Sequence, residues 1–460
     1  MKTVLLIRPK PHKETIGLQH VMVVEPLELE YLLGNVPEDM EKIFNIQIID
    51  FILDKRSFRE VLTEYNPCIV AFTGYNTHVN VIKDMAKEAK AFNSKLITAV
   101  GGVHAEVNRG DFQSEDMDLV LWKKGIKAFQ ALLRGFVKRE IYNSREQWIS
   151  TLQEEIDNWT QDTSFSYRPP KRSGTEEYRN HYYYMFHNPC ALIKTSFGCP
   201  YQCSFCFCRV VTEDNYYTRP MQDVMEELKS IEEEEIYIVD DDFLLSEERI
   251  EGFLEGLERE KIQKRYLVYG RSDFIAEHPE LMKRLKAAGL QAVIIGLESA
   301  KETDLIRYNK RTSIETNQKA IKVLQELDIE IYGTLILPMD YRTKDFNALK
   351  RWLKKMDLTF VNLQPLTPLK GTEIYGDYVE DFIEDPEAHE KWDMAHVVLK
   401  PESMSVRKYY FEIMKLYYAI VMRPKNLLRL IKKYGIRENL KMLRGSQKVS
   451  YQYLKKLLKG

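Results

Sequence analysis

Residues 195–206 of this 460-residue chain spell TSFGCPYQCSFC and contain three of its six cysteines. The three are spaced C-x3-C-x2-C, on one short loop between a predicted strand, ALIKTS, and the helix predicted from Met221. Thiolates are soft ligands, and three on a compact loop select an iron–sulfur cluster or zinc. Three protein ligands would leave one iron of a four-iron cluster open, which is typical of a catalytic metal. The loop therefore predicts a metal site with chemistry of its own.

Other uses of these cysteines fit less well. Zinc prefers two C-x2-C pairs, and the chain has no second pair and no histidine near the loop at finger spacing. The N-terminal apolar run ends too early for a signal peptide, so we expect a cytoplasmic chain with reduced thiols rather than disulfides. No stretch approaches the ~18 apolar residues that a bilayer span requires. Cys208, a fourth thiol nearby, is expected to be buried or beside the cluster rather than a ligand.

Strand-like and helical patterns alternate on both sides of the connector that precedes the loop. In the first ~135 residues they predict parallel βαβ units, hence an open, doubly wound, Rossmann-like α/β sheet. After Ala191 about six further units predict a partial (β/α)6 barrel of the TIM type, and the chain then becomes helical. The predicted organisation has four parts: a first domain over 1–140, a connector over 141–189, a barrel over 190–375 and a helical region over 376–460.

Composition and charge narrow the function classes. With 44% hydrophobic and 30% charged residues the chain is globular, and a net charge of −2 predicts no overall attraction to nucleic acid. From Arg423 to Gly460, however, twelve Lys or Arg accompany one acid, Glu438, which gives this segment a charge of +11. Three interpretations remain open: a tail that clamps the acidic remainder of the chain or stays solvated, docking on an anionic lipid or substrate, and RNA binding.

The cysteine loop closely resembles the cluster loop of the radical S-adenosylmethionine (SAM) superfamily. The resemblance implies that Cys199, Cys203 and Cys206 hold a 4Fe-4S cluster, and that the amino and carboxylate groups of SAM occupy the fourth iron. It also implies an external one-electron reductant of the flavodoxin or ferredoxin type. Electron transfer through the cluster would cleave SAM to a 5′-deoxyadenosyl radical.

Later strand ends resemble the SAM-binding motifs of the same superfamily, in the same order. They lie at the carboxyl ends of predicted strands, where a barrel builds its active site. The motifs are IVDDDF at 238–243, GRSD at 270–273, GLES at 296–299, TLI at 334–336 and PLTPLKGT at 365–372. The resemblance assigns SAM contacts to Phe205, Asp240, Asp241, Arg271, Ser272, Glu298 and Thr334.

The first domain resembles the cobalamin-binding domain fused to radical SAM enzymes of the anaerobic magnesium-protoporphyrin monomethyl ester cyclase and hopanoid methylase type. The resemblance rests on the order of four segments, LIRP at 6–9, PLELEYL at 26–32, TGYNT at 73–77 and GGVH at 101–104. It implies cobalamin contacts by Thr73, Tyr75, Thr77, Gly101, Gly102, Val103 and His104. Two motifs depart from the pattern. The place of D-x-H-x-x-G, at 53–58, has no histidine, so histidine ligation of cobalt is not expected, and KKGI at 123–126 replaces G-E-G-E.

The segment KWDMAH at 391–396 resembles the region that follows the barrel in this subgroup. Trp392, Asp393 and His396 are expected either to line the substrate mouth or to pack helices against the barrel. The resemblance implies methylation of an unactivated carbon in a small-molecule or lipid-like substrate. Two alternatives remain: a radical SAM cyclase or oxidase that does not use cobalamin, and a metal-stabilised nucleic-acid-binding protein. No residue is assigned as a catalytic acid or base.

Overall fold

The computed structural model describes residues 1–17, 20–160 and 165–459. The first part of the chain forms six strands and seven helices in the order expected for βαβ units. They are β1 (Lys2–Arg8), β2 (Met22–Val23), α1 (Leu27–Gly34), α2 (Glu38–Glu41), β3 (Phe44–Asp50), α3 (Phe58–Tyr65), β4 (Ile69–Thr73), α4 (Val79–Phe92), β5 (Ile97–Gly101), α5 (Val103–Asn108), β6 (Leu119–Val120), α6 (Gly125–Lys138) and α7 (Arg145–Asp157).

Five of these strands form one parallel sheet in the order β3-β1-β4-β5-β6. All five residues of β4, IVAFT, are buried, as expected for a central strand covered by helices on both faces. The predicted doubly wound architecture is thereby confirmed. Helix α7 falls within the segment expected to be a connector, but Trp148, Leu152 and Ile156 lie four residues apart on one face and pack into the core of this domain.

The barrel follows after a short strand that pairs with β2. Its elements are β7 (Tyr183–Tyr184), β8 (Cys190–Ile193), β9 (Ser196–Phe197), α8 (Cys208–Val211), β10 (Tyr217–Thr218), α9 (Met221–Ser230), β11 (Glu235–Ile238), α10 (Glu247–Glu260), β12 (Arg265–Gly270), α11 (Ser272–Glu277), α12 (Pro279–Ala287), β13 (Leu290–Glu298), α13 (Glu302–Arg307), α14 (Ile314–Glu326), β14 (Glu330–Leu337), α15 (Thr343–Lys355) and β15 (Phe360–Pro365).

Six barrel strands are parallel and neighbour one another in sequence order, β8-β11-β12-β13-β14-β15. The predicted partial (β/α)6 barrel is confirmed. Because every strand runs the same way, the motifs at their carboxyl ends meet at one edge of the sheet. The cysteine loop follows β8, the first strand of this sheet, and so reaches the same edge.

The C-terminal region is helical, as predicted, with α16 (Val406–Val421) and α17 (Pro424–Lys459). Tyr409, Ile413 and Leu416 of α16 pack into the core of the barrel. Helix α17 is broken at Gly435, whose φ of 76° lies in the left-handed region. Among the residues that the structure describes, no helix is long and apolar enough to cross a membrane.

A buried polar network joins the first domain to the barrel. Arg172, in the connector, donates from Nη2 to Glu227 Oε1 of α9 at 2.9 Å, and its Nε lies 3.5 Å from Glu25 Oε1. Glu30 of α1 accepts a hydrogen bond from the Thr175 hydroxyl. Burial, and then the charge of Glu25, raise the pKa of Glu30 to about 8. The network fixes the relative position of the two sheets.

Candidate functional site

The cysteine loop turns at Gly198, which has a φ of 78°. A Cβ on Gly198 would lie 2.0 Å from the carbonyl oxygen of Asn215, so only glycine fits this turn. Beyond it, Cys203 and Cys206 line a cleft of about 260 Å³ that Gly371 and Thr372 close from the last barrel loop.

The three predicted cluster ligands lie close enough to influence one another. Burial raises the pKa of the Cys199 thiol, and the nearby Asp242, Cys206 and Cys203 raise it further. Cys208 donates a hydrogen bond to Cys206 and lowers its pKa, which places Cys208 beside the ligand set as the sequence suggested. Convergent thiols on one loop beside an open cleft fit a cluster with one free iron. These residues would hold the 4Fe-4S cluster.

Two acids at the end of β11 position this loop. The carboxylate of Asp240 accepts hydrogen bonds from the Thr195 amide at 2.6 Å, from the Thr195 hydroxyl and from the Ser196 hydroxyl at 2.7 Å. Asp241 Oδ2 accepts from the Gly198 amide at 2.9 Å. Both acids were predicted to contact SAM. Their carboxylates are used here to hold the cysteine loop, and direct contact with SAM stays a prediction.

The third acid of the run, Asp242, is different. It is 2% exposed, and neither carboxylate oxygen has a hydrogen-bond partner among the described residues. Burial raises its pKa to about 7, although Arg271 and Lys310 act in the opposite direction. A buried carboxylate without a donor is costly unless a ligand supplies one. The ammonium group of SAM is such a donor, and Asp242 lies near Cys199.

Asp242 is a candidate site residue that was not predicted from the sequence. The run Asp240–Asp242 was recognised as an acidic strand end, but the contact with SAM was assigned to its first two members. β11 ends at Ile238, so the run lies in a loop where neither helical nor strand periodicity tells which carboxylate faces the cluster. The three-in-a-row pattern was the available signal.

Two cations complete the barrel edge. The guanidinium of Arg271 lies 3.6 Å from the centre of the Tyr201 ring, with Nη1 3.9 Å from Cys203 Sγ. Its Nη2 donates to the Lys310 carbonyl oxygen at 2.8 Å. Lys310, which the sequence analysis did not single out, forms a buried ion pair with Glu298 at 2.8 Å. The predicted residues Arg271 and Glu298 are therefore linked through Lys310, next to a cluster ligand.

The remaining predicted SAM contacts lie inside the barrel and have partners in the protein. Phe205 meets Tyr308 edge to face, with ring centres 5.7 Å apart. Ser272 Oγ lies 3.1 Å from the hydroxyl of Thr312, and Thr334 donates to the Ile295 carbonyl oxygen at 3.4 Å. These positions agree with the predicted edge, and the contacts of these residues with SAM stay predictions.

In the first domain, the glycine pair at the end of β5 lets the backbone approach Thr73 at the end of β4 closely. Gly102 has a φ of 97°, and a Cβ there would lie 2.8 Å from Thr73 Oγ1. Thr73 in turn donates to Glu28 Oε1 at 3.1 Å. Gly101 ends β5, and Val103 begins α5 directly after the pair. The backbone is thus open to a ligand where cobalamin contacts were predicted.

An open space separates the two sheet edges. Tyr75, after β4, is 58% exposed, yet burial between the domains raises the pKa of its hydroxyl, and so does the charge of Glu28. Asp241 and Tyr269 of the barrel are also near enough to act on Tyr75. Tyr269 itself is 37% exposed, and burial raises its pKa as well. Tyr75 and Tyr269 are therefore accessible to solvent and at the same time surrounded by protein. This combination indicates an interior space with room for a large ligand.

His104, predicted to contact cobalamin, lies in a buried polar cluster at the border of three regions. Its Nε2 is 2.8 Å from Asp111 Oδ2, and Lys370 of the last barrel loop donates to the same carboxylate. His389 lies in edge-to-face contact with His104 and 2.8 Å from Asn76 Oδ1. Burial alone would raise the pKa of Asp111, but the hydrogen bonds from His104 and Lys370 lower it to about 2.

His104, Asp111 and His389 have ligand atoms within 4.8 Å of one another, the spacing of a metal site. Lys370 already neutralises the carboxylate, so the contacts describe an ion-pair cluster that closes one side of the interdomain space. Thr77, the last residue predicted to contact cobalamin, has its hydroxyl 3.5 Å from His78 Nδ1. Burial lowers the pKa of His78 to about 4, so His78 is neutral.

The residues expected to line a substrate mouth are packing residues in the structure. Trp392 is buried and donates from its indole to the Asp385 carbonyl oxygen at 3.0 Å. Asp393 accepts from the Ile16 amide at 2.6 Å and lies 2.8 Å from His396 Nδ1, and His396 is fully buried. Their contacts favour the alternative that the sequence left open, a role in packing this region against the rest of the chain.

The first domain and the barrel each match a known protein family. Residues 20–133 match the B12 binding domain, and residues 193–353 match the radical SAM superfamily. The chain therefore contains a B12-binding domain followed by a radical SAM domain, which confirms the two domains that the resemblance implied. A radical SAM domain implies a 4Fe-4S cluster and SAM as cofactors, and a B12-binding domain implies cobalamin.

Several individual proteins are similar to this chain over most of its length. Hopanoid C-3 methylase of Methylococcus capsulatus is 27% identical over 398 residues, 85% of this chain and 75% of that protein. The anaerobic magnesium-protoporphyrin IX monomethyl ester cyclase of Cereibacter sphaeroides is 23% identical over 375 residues, which are 75% of this chain and 58% of that protein. The structure of the radical SAM methyltransferase TsrM of Kitasatospora setae superposes with a TM-score of 0.67, at 14% identity, over 99% of this chain and all of that one. The likeness to TsrM confirms the fold.

Proposed function

We propose that this protein is a cobalamin-dependent radical SAM methyltransferase that methylates an unactivated carbon of a small-molecule or lipid-like substrate. One observation carries the proposal. The buried, unpartnered carboxylate of Asp242 lies near Cys199 of the cysteine loop, and its neighbour Asp241 lies near Tyr75 of the first-domain edge. A charged ligand at the barrel edge and a large ring system at the first-domain edge would therefore meet in one space.

Bound there, the cluster supplies the electron that cleaves SAM and cobalamin carries the methyl group, while SAM is consumed both as radical source and as methyl donor. The chain's own residues orient these groups. Asp242 binds the ammonium of SAM, and Arg271, held by Tyr201 and by Asp273 at 2.7 Å, presents a cation for its carboxylate. Gly101 and Gly102 let the backbone approach the cobalamin, and Tyr75 covers one face of the space.

Exclusion of water from this space is the second task of the protein. The His104–Asp111–Lys370 cluster closes the border between the first domain and the last barrel loop. The Arg172 network fixes the opposite joint between connector and barrel. A reactive carbon radical formed between the two edges would thus be shielded from solvent.

Methylation is favoured over cyclisation because the relative with the wider coverage is a methylase and the superposed structure is that of a methyltransferase. The cyclase relative supports the second candidate, in which the substrate radical is oxidised or closed into a ring. The electron donor would be a flavodoxin or ferredoxin. No disulfide joins any of the six cysteines, which all lie in the described part of the chain, and this supports a reducing, cytoplasmic location.

The decisive experiment uses the full chain, purified and reconstituted under anaerobic conditions with iron, sulfide and cobalamin. It is incubated with a strong reductant, a lipid and metabolite extract, and SAM that carries a deuterated methyl group. Methylation predicts a product that retains the labelled methyl and disappears when cobalamin is withheld. A product that has lost hydrogen and carries no label, formed equally well without cobalamin, would establish the cyclase alternative.

A further inference from the structure

The basic C-terminal segment divides into two halves with different surroundings. Before the break at Gly435, its cations pair with carboxylates at the amino ends of the barrel strands. Arg423 and Lys425 both bind Asp357, and Lys433 Nζ lies 3.0 Å from Glu330 Oε1. This half does clamp the barrel, one of the three roles that the sequence left open.

After Gly435, the helix is fixed to the protein by one face. Tyr453 is buried against Tyr410 and Tyr417, with ring centres 6.0 and 6.4 Å away. Gln452 donates to the Thr15 carbonyl oxygen at 2.9 Å. Gly445 is in such close contact with the N-terminal segment that a Cβ would lie 2.1 Å from the His20 carbonyl oxygen. The outward face of this half is therefore held in a defined orientation.

That outward face carries an apolar stripe, which the exposed Gln447 interrupts between Leu443 and Tyr451. Its members recur at intervals of three, four or eight residues, so that they line one side of a helix about 33 Å long. Each is between 43% and 72% exposed. The exposed stripe is formed by Ile436, Leu440, Leu443, Tyr451, Leu454 and Leu458.

A row of cations runs along one border of the exposed stripe. At 100° per residue, Arg437, Arg444, Lys448 and Lys455 fall on one flank of it, and all four are exposed. None of the four forms an ion pair with another residue in the described part of the chain. The one acid of the segment, Glu438, points to the inner, half-buried side.

We propose that this face, the exposed stripe with its cation row, docks on a bilayer surface rich in anionic lipid. An amphipathic helix with apolar side chains beside Lys and Arg lies in the membrane interface and gains both apolar burial and attraction to anionic headgroups. An exposed apolar patch rimmed by charged residues is typical of a surface that binds a membrane or a partner. The protein would bind to the membrane surface without crossing it. The part of α17 after Gly435 would lie between the two, with its inner face packed on the protein and its outward face on the lipid.

Two other occupants fit the face less well. A second copy would suit the spacing of the stripe, but an antiparallel symmetric pair would bring two rows of like charge together. RNA would satisfy the cations, but it leaves five aliphatic side chains in water, since only Tyr451 offers a ring for base stacking. Anionic lipid alone complements both the stripe and the cation row.

Vesicle flotation with the full chain tests this proposal, using phosphatidylcholine vesicles with and without phosphatidylglycerol. We expect binding that requires phosphatidylglycerol and weakens as salt is added. Replacing Leu440, Leu443 and Leu454 by serine should weaken binding at least ~tenfold. Replacing the cation row, Arg437→Gln, Arg444→Gln, Lys448→Gln and Lys455→Gln, should abolish the preference for anionic vesicles.

The matched control replaces exposed apolar residues elsewhere, Ile141→Ser and Ile306→Ser, which are 75% and 77% exposed, and should bind like the wild type. Unchanged thermal unfolding of each variant shows that it is folded. The proposal is overturned if the wild-type chain does not float with phosphatidylglycerol vesicles, or if the triple serine variant floats equally well. A dimer in solution that the serine variant dissociates, or tight binding of a poly-uridine RNA without vesicle binding, would assign the face to the other occupants.

Discussion

The carboxyl ends of the two parallel sheets face one space, but they are built from different chemistry. The barrel edge is ionic and interlocked, with Asp240 holding the cysteine loop and Arg271 linked through Lys310 to Glu298. The first-domain edge offers a glycine pair, a threonine and an exposed tyrosine ring. One edge is preorganised for a small charged ligand and the other for close approach of a large, mostly neutral ring system.

This difference explains why the barrel edge tolerates few changes. Buried charges depend on each other, and removing one partner leaves the other without compensation. The first-domain edge instead depends on space and shape, so single substitutions there should affect ligand retention more than folding. Each prediction below tests one side of this comparison or the joint between the two edges.

The largest effect is expected at the cluster. Cys206→Ala removes one of three ligands, so iron content should fall and SAM cleavage should drop at least ~1,000-fold. Measurement of iron, sulfide and 5′-deoxyadenosine under anaerobic conditions checks this. Cys208→Ala is the matched control, because it should keep the cluster although it removes the hydrogen bond to Cys206. A Cys206 variant with full iron and full SAM cleavage would contradict the ligand assignment.

The next largest effect is expected at Asp242, the buried carboxylate without a hydrogen-bond partner. Asp242→Asn keeps the size of the side chain but removes the charge that would bind the SAM ammonium, so SAM binding should weaken ~10–100-fold with the cluster intact. Equilibrium binding of SAM, together with the cluster absorbance, measures both. Asp340→Asn, which loses an exposed ion pair with Arg307, should leave SAM binding unchanged. Equal SAM affinity in Asp242→Asn and wild type would show that another group binds the ammonium.

At the opposite edge, Tyr75→Ala should reduce cobalamin retention ~tenfold while iron content and thermal stability stay as in the wild type. Tyr75 is 58% exposed in the interdomain space, so its loss removes a contact for a ligand rather than core packing. Cobalamin is quantified by absorbance after gel filtration. Tyr418→Ala, at a 50% exposed position on α16, is the control. Loss of iron together with cobalamin in Tyr75→Ala would mean that the two edges are not separable.

The smallest effect is at the joint. The pKa of Glu30 is raised to about 8 in the folded chain against an ordinary value near 4.5, so the folded state binds more protons between these values. The free energy of unfolding should therefore fall as pH rises from 5 to 8. Glu30→Gln removes this dependence, so the stability of the variant relative to wild type should increase as pH rises from 5 to 8. Denaturant titrations at several pH values test it, and parallel pH curves for the two proteins would refute the assignment.

The sequence alone predicted the features that depend on residues close together in the chain. The cysteine spacing, the alternation of strands and helices, and the glycine pair were each local, and they gave the fold class and the cofactors that the comparisons confirm. Roles that depend on which way a side chain points were not local. Asp240 and Asp242 are two residues apart, yet one holds the loop and the other is unpartnered. Lys310 lay in no recognised motif, and its partner Glu298 is twelve residues away.

The boundary of the first domain and the role of the basic segment also depend on contacts between residues that are distant in the sequence. Helix α7 joined the first domain because Trp148 and Leu152 found apolar partners there, which the polar appearance of the segment did not indicate. The +11 segment divided at Gly435 into a paired half and an exposed half, because carboxylates such as Asp357 and Glu330 lie within reach of only the first. The net charge of the segment does not show which of its cations have a carboxylate partner.

The central claim, that SAM at the barrel edge and cobalamin at the first-domain edge share one space, has a direct test that needs no substrate. The reconstituted chain with reduced cobalamin is given SAM that carries a deuterated methyl group, and the cobalamin is then extracted and analysed by mass spectrometry. The account predicts a deuterated methyl on the cobalamin, formed faster than with free cobalamin and lost in Asp242→Asn at low SAM. Cobalamin that does not bind, or that binds and stays unlabelled, would contradict it.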